Sequence, residues 1–575
     1  MDDKDPQLTR RRLLAGAVSL GAAAALPLRA ATPGDPPWDD ETDVLVVGTG
    51  AAGSAAAVFA RQAGAAVLMV EKADYYGGTT AKSQGGYWVP NNSLMRARGL
   101  SDPRDAALRY MARLAHPESY HAQQPMLGLA ARDHELIATF YDNAARVIDA
   151  LGACGALAST FFPGGAGFQY MPDYYAHLPE NAAPFGRILS PRMADGSPGL
   201  GIEIARQFEA AMKTLAVPVR FGHRAQRLLM DAAGAVIGLE LATGAGDVRR
   251  IRARRGVIFG TGGFIHNPQL RREFLRGTVY GGCTVPAAQG DLIPIAIAAG
   301  AQLGNMQNAW WSQVVFEQAL ANSAVPMNVF VPPGDSMLQV NRYGQRFVNE
   351  KFVYNERTQL HFVWDPVRAE FTNLLTFMIY DQRTAEQFAG MYPVPQGAAP
   401  YVLRADTLDG LAGAIGERLA SLEHASGSFS LDVEFAQNLK RGVERFNNFA
   451  TSGLDQDFQR GGTPIEQYFH ALYRPPGQQN PAPNATLHPL AARGPYYAII
   501  LCAGVLDTKG GPKIDVHARM LDAAGQPLPG LYGAGNCIAA PAAQAYWSAG
   551  ATIGSALVFG ALAGEHAATR TPASA

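Results

Sequence analysis

The chain predicts an α/β fold in which a dinucleotide-binding domain is interrupted by an inserted α+β domain. Three observations carry that reading. A glycine-rich strand–helix–strand pattern runs from Asp43 to Glu71. A second apolar strand ending in glycines stands mid-chain, at Gly256–Gly263. A third, Gly530–Asn536, lies near the C-terminus and leads into a helix that starts around Gly550. The 575 residues are enough for roughly two to four domains, and with 48% hydrophobic residues there is material for large cores. The net charge is −1, with acidic and basic residues mixed along the chain. That argues against nucleic acid or an anionic membrane surface as a partner.

The first 31 residues read as an export leader rather than part of the fold. Thr9-Arg10-Arg11-Arg12-Leu13-Leu14 precedes an apolar run from Ala15 to Leu28; Ala30, Ala31 and Thr32 and a Pro-rich linker to Pro37 follow. This is a twin-arginine pattern. The run is about fourteen residues, short of the ~20 a spanning helix needs; an uncleaved anchor is the alternative. The twin-arginine route carries folded proteins, so a periplasmic location with the cofactor already inserted is expected. No other stretch is long and apolar enough to span a bilayer. Cys154, Cys283, Cys502 and Cys537 are far apart and form no Cys-x-x-Cys pair. No attached haem, zinc or iron–sulfur site is expected from them.

Asp43–Val47 has the pattern of a buried strand, Gly48-Thr49-Gly50-Ala51-Ala52-Gly53 follows, and Ser54–Gln62 is helical in composition. A second apolar strand, Ala66–Val70, ends at Glu71. That is the Rossmann-type fingerprint with its acidic residue in register. Gly48 permits the tight turn, Gly50 lets the backbone approach a pyrophosphate, and Gly53 lets helix and strand pack closely. The helix start offers free N–H groups to phosphate, and Glu71 is placed to accept from ribose hydroxyls.

An extended glycine-lined channel beyond this unit points to FAD rather than NAD. Gly77-Gly78-Thr79-Thr80 and Gly85-Gly86 follow Glu71, and Gly260-Thr261-Gly262-Gly263 and Gly533-Ala534-Gly535-Asn536 add to it. The helix start at Gly550-Ala551-Thr552-Ile553 is placed to aim its N–H groups at a flavin edge. The candidate cofactor contacts are therefore Gly48, Gly50, Ala51, Ala52, Gly53, Glu71, Lys72, Gly78, Thr79, Thr80, Gly85, Gly86, Gly262, Gly535, Asn536, Thr552 and Ile553. Asp291 reads as a helix N-cap for Leu292–Ala299, and His223 and Arg224 as structural or as neighbours of the adenine. No His or Cys lies between Gly77 and Pro90, so the FAD is expected to be non-covalent.

These landmarks, with Asp455-Gln456-Asp457-Phe458, Arg474-Pro475-Pro476-Gly477, Gly494-Pro495-Tyr496-Tyr497-Ala498 and Thr508-Lys509-Gly510-Gly511, resemble the fumarate-reductase-like FAD superfamily. Within it the chain is similar to the 3-ketosteroid Δ1-dehydrogenases and related cyclic-ketone dehydrogenases. The resemblance implies an FAD domain at 39–312 and 506–564, a substrate domain at 313–505 and a tail at 565–575. Inside the substrate domain, Val325–Pro332 and Met337–Val340 are strand-like, and Leu408–Leu422 and Asp432–Ala450 helical.

The same resemblance implies the site. Tyr546 and Gly550 match the family's carbonyl-binding Tyr-x-x-x-Gly element. Tyr354 matches the base and Tyr174 the tyrosine that supports it; Asp291 resembles a family FAD contact. The implied reaction removes the α-proton of a cyclic ketone and passes a hydride to flavin N5, leaving a C=C bond. Trp547 departs from the family's Gly/Pro-rich segment. With Trp88, Tyr170 and the Trp310-Trp311 pair, it is expected to line the substrate cleft, which leaves a single-ring ketone such as a cyclohexanone open beside a 3-ketosteroid. An ene reductase of the fumarate reductase type is the rival, but Trp547 and Asp507 stand where the reductases carry an arginine and a histidine. A non-catalytic electron-transfer flavoprotein is the other alternative. A quinone or a soluble carrier is the expected electron acceptor.

Overall fold

A computed structural model describes residues 37–165, 167–244, 246–474 and 480–572. The leader and the Pro475-Pro476-Gly477 loop lie outside the described residues.

The main sheet is parallel at its centre. β1 (Asp40–Val47) lies between β2 (Val67–Val70) and β3 (Val248–Phe259), with Val46 opposite both Met69 and Ile258. Both faces of β1 are covered, so Thr42 to Val47 are all buried, the continuous pattern of a central parallel strand. The crossover helix α1 (Ala51–Gln62) joins β1 to β2. On the far side of β3 lies β4 (Pro527–Gly533), parallel to it, with Val257, Ile258 and Phe259 opposite Leu531, Tyr532 and Gly533. Strands from both ends of the described chain therefore share one sheet. The N-terminal half of β3 continues into an antiparallel extension, Val236–Thr243 and His223–Met230.

A five-stranded antiparallel sheet is built from Val314–Val315, Met337–Val340, Leu375–Asp381, Val402–Ala405 and Tyr496–Cys502. Helices Leu408–Ser421 and Phe435–Ser452 cover it with a core of their own. Phe435, Leu439, Val443, Phe446 and Ala450 form the buried stripe of the second helix, at the spacing of one helical face. The expected strand at Val325–Pro332 is not formed. Apart from a single bridge between Val329 and Gln313 the segment is irregular. Side chains take its carbonyls instead of a ladder: Lys82 that of Val325, and Arg357 those of Val329 and Phe330. The short helix α2 (Tyr354–Gln359) packs below this segment, with the Phe330 and Tyr354 ring centroids 5.2 Å apart.

The last helix, α3 (Ala551–Thr569), is buried along most of its length. It lies backbone-to-backbone on α1. A Cβ on Gly560 would sit 2.3 Å from the Ala52 carbonyl oxygen, and one on Gly564 2.2 Å from that of Ala56. The helix runs past Gly564 into the stretch expected to be a tail, where His566 Nδ1 and the Tyr532 hydroxyl meet at 2.9 Å. No helix among the described residues is long and apolar enough to cross a membrane.

Because α1 and α3 have no room between them, Gly560→Ala is expected to cost about 1–3 kcal/mol by overpacking. A fall in melting temperature, with FAD lost from the purified protein more readily than from the wild type, checks this.

Candidate active site

A cavity of about 580 Å³ runs from the glycine turns of the main sheet to the segments that carry Phe330, Tyr354 and Phe469. At one end it is lined by Glu71, Lys72, His223 and Asp291, along its length by the glycine turns, and at the other end by Tyr174, Tyr354, Tyr546 and Gly550. Of the candidate cofactor contacts, Gly48, Gly50, Ala51, Ala52, Glu71, Lys72, Gly78, Thr79, Thr80, Gly85, Gly86, Gly262, Asp291, Gly535, Asn536, Thr552 and Ile553 all line it. Gly53 does not; a Cβ there would lie 1.9 Å from the Gly48 carbonyl oxygen, so its role is the close approach of helix to strand.

The cradle is built by local geometry. Gly50 caps α1 with extended backbone and no side-chain cap, which leaves the helix start open to an anion. Thr49 donates from its amide and its hydroxyl to Glu71 Oε2, at 3.0 and 2.9 Å, and accepts from the Gly77 amide at 3.0 Å. That ties the first glycine turn to the second. Gly78 meets nothing within 4 Å on its open side. An open helix start, a carboxylate anchored at the end of β2 and a glycine floor suit a dinucleotide. Asp291 does not cap its helix as expected; its carboxylate pairs with Lys72 at 2.9 Å and Arg224 at 2.7 Å instead.

The three tyrosines converge. Ring centroids of Tyr174, Tyr354 and Tyr546 are 5.3 to 5.7 Å apart, each pair edge to face. The Tyr174 and Tyr354 hydroxyls are hydrogen-bonded to each other. Burial raises the Tyr546 phenol, while the Tyr354 hydroxyl, the Thr552 hydroxyl and the Gly550 amide facing it pull it back. Tyr354 is pushed well above the ordinary phenol range by burial and by the two neighbouring phenols. All three are therefore protonated at neutral pH in the resting site. Gly550, with a φ of +83°, starts α3, and a Cβ on it would collide with the Gly86–Tyr87 backbone at 2.6 Å.

Tyr174 is held from behind by a dry ion-pair frame. Arg187 bridges Asp102 and Asp173 at 2.6 and 2.8 Å, all three essentially unexposed. Its neighbour Tyr175 points the other way, donating to Glu356 at 2.6 Å.

Four expected substrate contacts are corrected. Trp547 is fully buried and faces away from the cavity, 5.7 Å from Trp88 and 5.5 Å from Phe140, with its indole N–H on the Met111 carbonyl at 3.1 Å. Trp88 lies in the same aromatic layer and donates to Asp173 at 2.8 Å. Tyr170 does not line the cavity; it sits on a short hairpin strand against Phe161 at 4.4 Å. Of the tryptophan pair, Trp310 lines the cavity, 4.8 Å from Tyr546, whereas Trp311 packs on Phe362. The cleft wall is instead Phe162, Phe330, Met391, Phe469, Leu472 and Tyr473, which no motif marks.

Asp507 is a further cavity residue that the sequence analysis did not assign as a contact. Its buried carboxylate accepts from the Gly263 and Thr508 amides at 2.9 and 2.8 Å and from Asn536 at 3.1 Å. Burial outweighs these bonds and raises it to about 6.

A family model described as an FAD binding domain matches residues 43–553. The chain belongs to this family. The flavoprotein is 30% identical over 568 residues to a 4-oxocyclohexanecarboxylate 2-dehydrogenase of Sinomonas cyclohexanicum, covering 91% of this chain and 92% of that protein. It is 31% identical to a 3-oxosteroid 1-dehydrogenase of Mycolicibacterium smegmatis, covering 93% and 98%. Among solved structures it is similar to 3-ketosteroid Δ1-dehydrogenase from Sterolibacterium denitrificans in complex with 1,4-androstadiene-3,17-dione. The TM-score is 0.76 at 29% identity, over 92% of this chain and 99% of that one. The cofactor is FAD, and the flavoprotein is an oxidoreductase.

Asp507 carries a pH signature. Its folded pKa lies above the ordinary carboxylate value, so the native state binds the proton more tightly than the unfolded chain. Its contribution to stability is full below about 4 and is lost as pH rises through about 6. Two units correspond to roughly 3 kcal/mol. Thermal melts of the flavin-free protein are expected to decline over that window, and Asp507→Asn to flatten the decline.

Proposed function

We propose that this flavoprotein introduces a C=C bond beside the carbonyl of a cyclic ketone. The observation that carries the reading is the meeting of Tyr174, Tyr354 and Tyr546 at the start of α3, where the glycine cradle ends. The names of the relatives support the same chemistry. The Tyr546 hydroxyl and the Gly550 N–H bind the ketone oxygen as a two-donor hole. Such donors act on charge that develops in the transition state, and each is worth ~3–4 kcal/mol in oxyanion sites. They acidify the adjacent C–H. Tyr354 first gives up its own phenol proton through Tyr174, to which its hydroxyl is bonded, and its oxygen then receives the proton of that C–H. Bound FAD supplies the hydride acceptor.

The aromatic layer of Trp88 and Trp547 is turned away from the cavity, so it sets no limit on ring number. The apolar wall of Phe162, Phe330 and Phe469 suits the body of a hydrophobic ketone. Dicarboxylate reduction fits less well. Trp547, where the reductases carry an arginine, is in the core, and Asp507 adds a carboxylate to the cavity. For the whole protein the reading places non-covalent FAD in a periplasmic enzyme, exported by the twin-arginine route. Electrons then leave to a quinone or a soluble carrier.

Anaerobic addition of a ketone panel, from cyclohexanone to 4-androstene-3,17-dione, is expected to bleach the flavin with at least one member. Failure of every ketone, with rapid reoxidation of the reduced flavin by fumarate, would reverse the assignment. Tyr546→Phe is expected to keep its FAD and lose about 10²–10³-fold in kcat, the loss seen on removing one oxyanion donor. A variant that turns over normally would remove the two-donor hole from the account.

A further inference from the structure

Below Tyr354 lies a cation that the chemistry above leaves unused. Arg357 stands one turn after Tyr354 in α2 and is 1% exposed. Among the described residues, every hydrogen-bond partner of its guanidinium is neutral. Nε donates to Gln313 Oε1 at 2.9 Å. Nη1 donates to the carbonyls of Phe352 at 2.8 Å and Glu350 at 3.3 Å. Nη2 donates to those of Val329 at 2.9 Å and Phe330 at 3.1 Å.

The neighbouring guanidinium groups are paired. Arg346 bridges Glu350 and Asp455, Arg460 reaches Glu350, and Arg383 pairs with Asp335. A fourth buried carboxylate, Glu466, accepts from Asn349, Thr463 and the Gly461 amide. None of these four carboxylates accepts a hydrogen bond from Arg357. Burial lowers Lys351, whose ammonium donates to the Pro332 carbonyl, and pulls His470 well below its ordinary value and His361 down to about 4. Arg357, lowered by burial to about 9, is still charged at neutral pH. Its guanidinium makes no ion pair, and a buried charge without one costs several kcal/mol.

Of the acidic groups that act on it, Glu350 is held by Arg346 and Arg460, and the other two, Tyr354 and Tyr473, line the cavity. Only Tyr354 is joined to the other phenols, by its bond to Tyr174. Glu356, the acid beside Tyr354, is engaged by Tyr175, Asn355 and Gln359.

We propose that Arg357 is a positioning residue whose unpaired charge stabilises the anion of Tyr354 before it takes the substrate proton. The inference rests on Tyr354 being the base of the desaturation. The phenol proton of Tyr354 first leaves through Tyr174 to water. The phenolate oxygen then forms an O–H bond as the α-C–H bond breaks. The electron pair of that bond becomes the enolate held by Tyr546 and Gly550. The four backbone contacts of Arg357 also hold the segments that carry Phe330 and Tyr354, so its bonds set the geometry while its charge sets the proton affinity.

The test is the pH dependence of kcat/KM of the FAD-loaded enzyme, with whichever of cyclohexanone and 4-androstene-3,17-dione bleaches wild-type flavin. Activity rises with pH as the base loses its proton, and removing a nearby cation raises the pKa of that base. Arg357→Gln is expected to move the rising limb up by at least about one unit, near tenfold in kcat/KM below the limb. FAD content should be unchanged and KM within threefold, with activity recovering at high pH. Arg357→Lys, which keeps a cation, is expected to recover part of the shift. Gln313→Glu is close to isosteric and sets a carboxylate against Nε; it is expected to give the same upward shift with the guanidinium in place. FAD-loaded Arg357→Gln and Gln313→Glu with unshifted limbs would overturn the inference while leaving the desaturation intact. If Arg357→Gln does not load FAD, Gln313→Glu decides alone. A wild-type enzyme that neither ketone reduces overturns the reading of the site and this inference with it.

Discussion

Two helices from opposite ends of the chain touch through their backbones, and the site depends on that contact. Gly560 and Gly564 of α3 lie against the Ala52 and Ala56 carbonyls of α1, and Gly554 against the carbonyl of Trp88. Any side chain at these glycines would push the helices apart. Held there, α3 starts where the cradle ends, and Gly550 and Tyr546 come to face the glycine floor that α1 begins. One close approach thus sets the distance between the phosphate-binding end of the cavity and the phenols.

Burial has opposite effects on the two jobs at the phenol end. In a dry site a hydrogen-bond donor aimed at developing charge gains strength. The same dryness disfavours an ionised phenol, and Tyr354 and Tyr174 are both raised well above their ordinary range, chiefly by burial. On the proposed reading, the donors of the carbonyl hole need no change of protonation state, whereas the base does. Direct contact between the Tyr174 and Tyr354 hydroxyls supplies a proton path.

Rigidity around the tyrosines comes from buried ions. Arg187 with Asp102 and Asp173 backs Tyr174, and Arg346 with Glu350 and Asp455 lies under the segment that leads to Tyr354. Such groups are weak sources of stability, because desolvation offsets their attraction. What they add here is direction. A carboxylate with two fixed partners leaves the adjacent backbone few alternatives, and Tyr174 and Tyr354 each stand next to one of these anchored stretches.

Much of the cofactor cradle was legible in the residues because it is local. A tight turn, an open helix start and a carboxylate at the next strand end are settled within about thirty residues of chain, and Gly48, Gly50 and Glu71 line the cavity as expected. Tyr546 and Gly550 were legible as a spaced motif, Tyr354 and Tyr174 only through the family resemblance, and the three phenols meet in space. What the sequence could not settle was orientation. Tyr546 and Trp547 are adjacent, yet one faces the cavity and the other the core, because the Trp88–Phe140 layer leaves a socket on one side only. Val325–Pro332 has the composition of a strand, but Lys82 and Arg357 arrive from distant segments to take its carbonyls. Asp507 and Arg357 carry no motif; a buried carboxylate and a buried cation acquire their meaning from the groups around them. Local backbone rules follow from neighbours in the chain, so the sequence by itself determined the fold class, the cradle and the candidate phenols. Which side chains face the ligand, and which charges lack a partner, depends on contacts between residues hundreds of positions apart, and only the tertiary structure decided them.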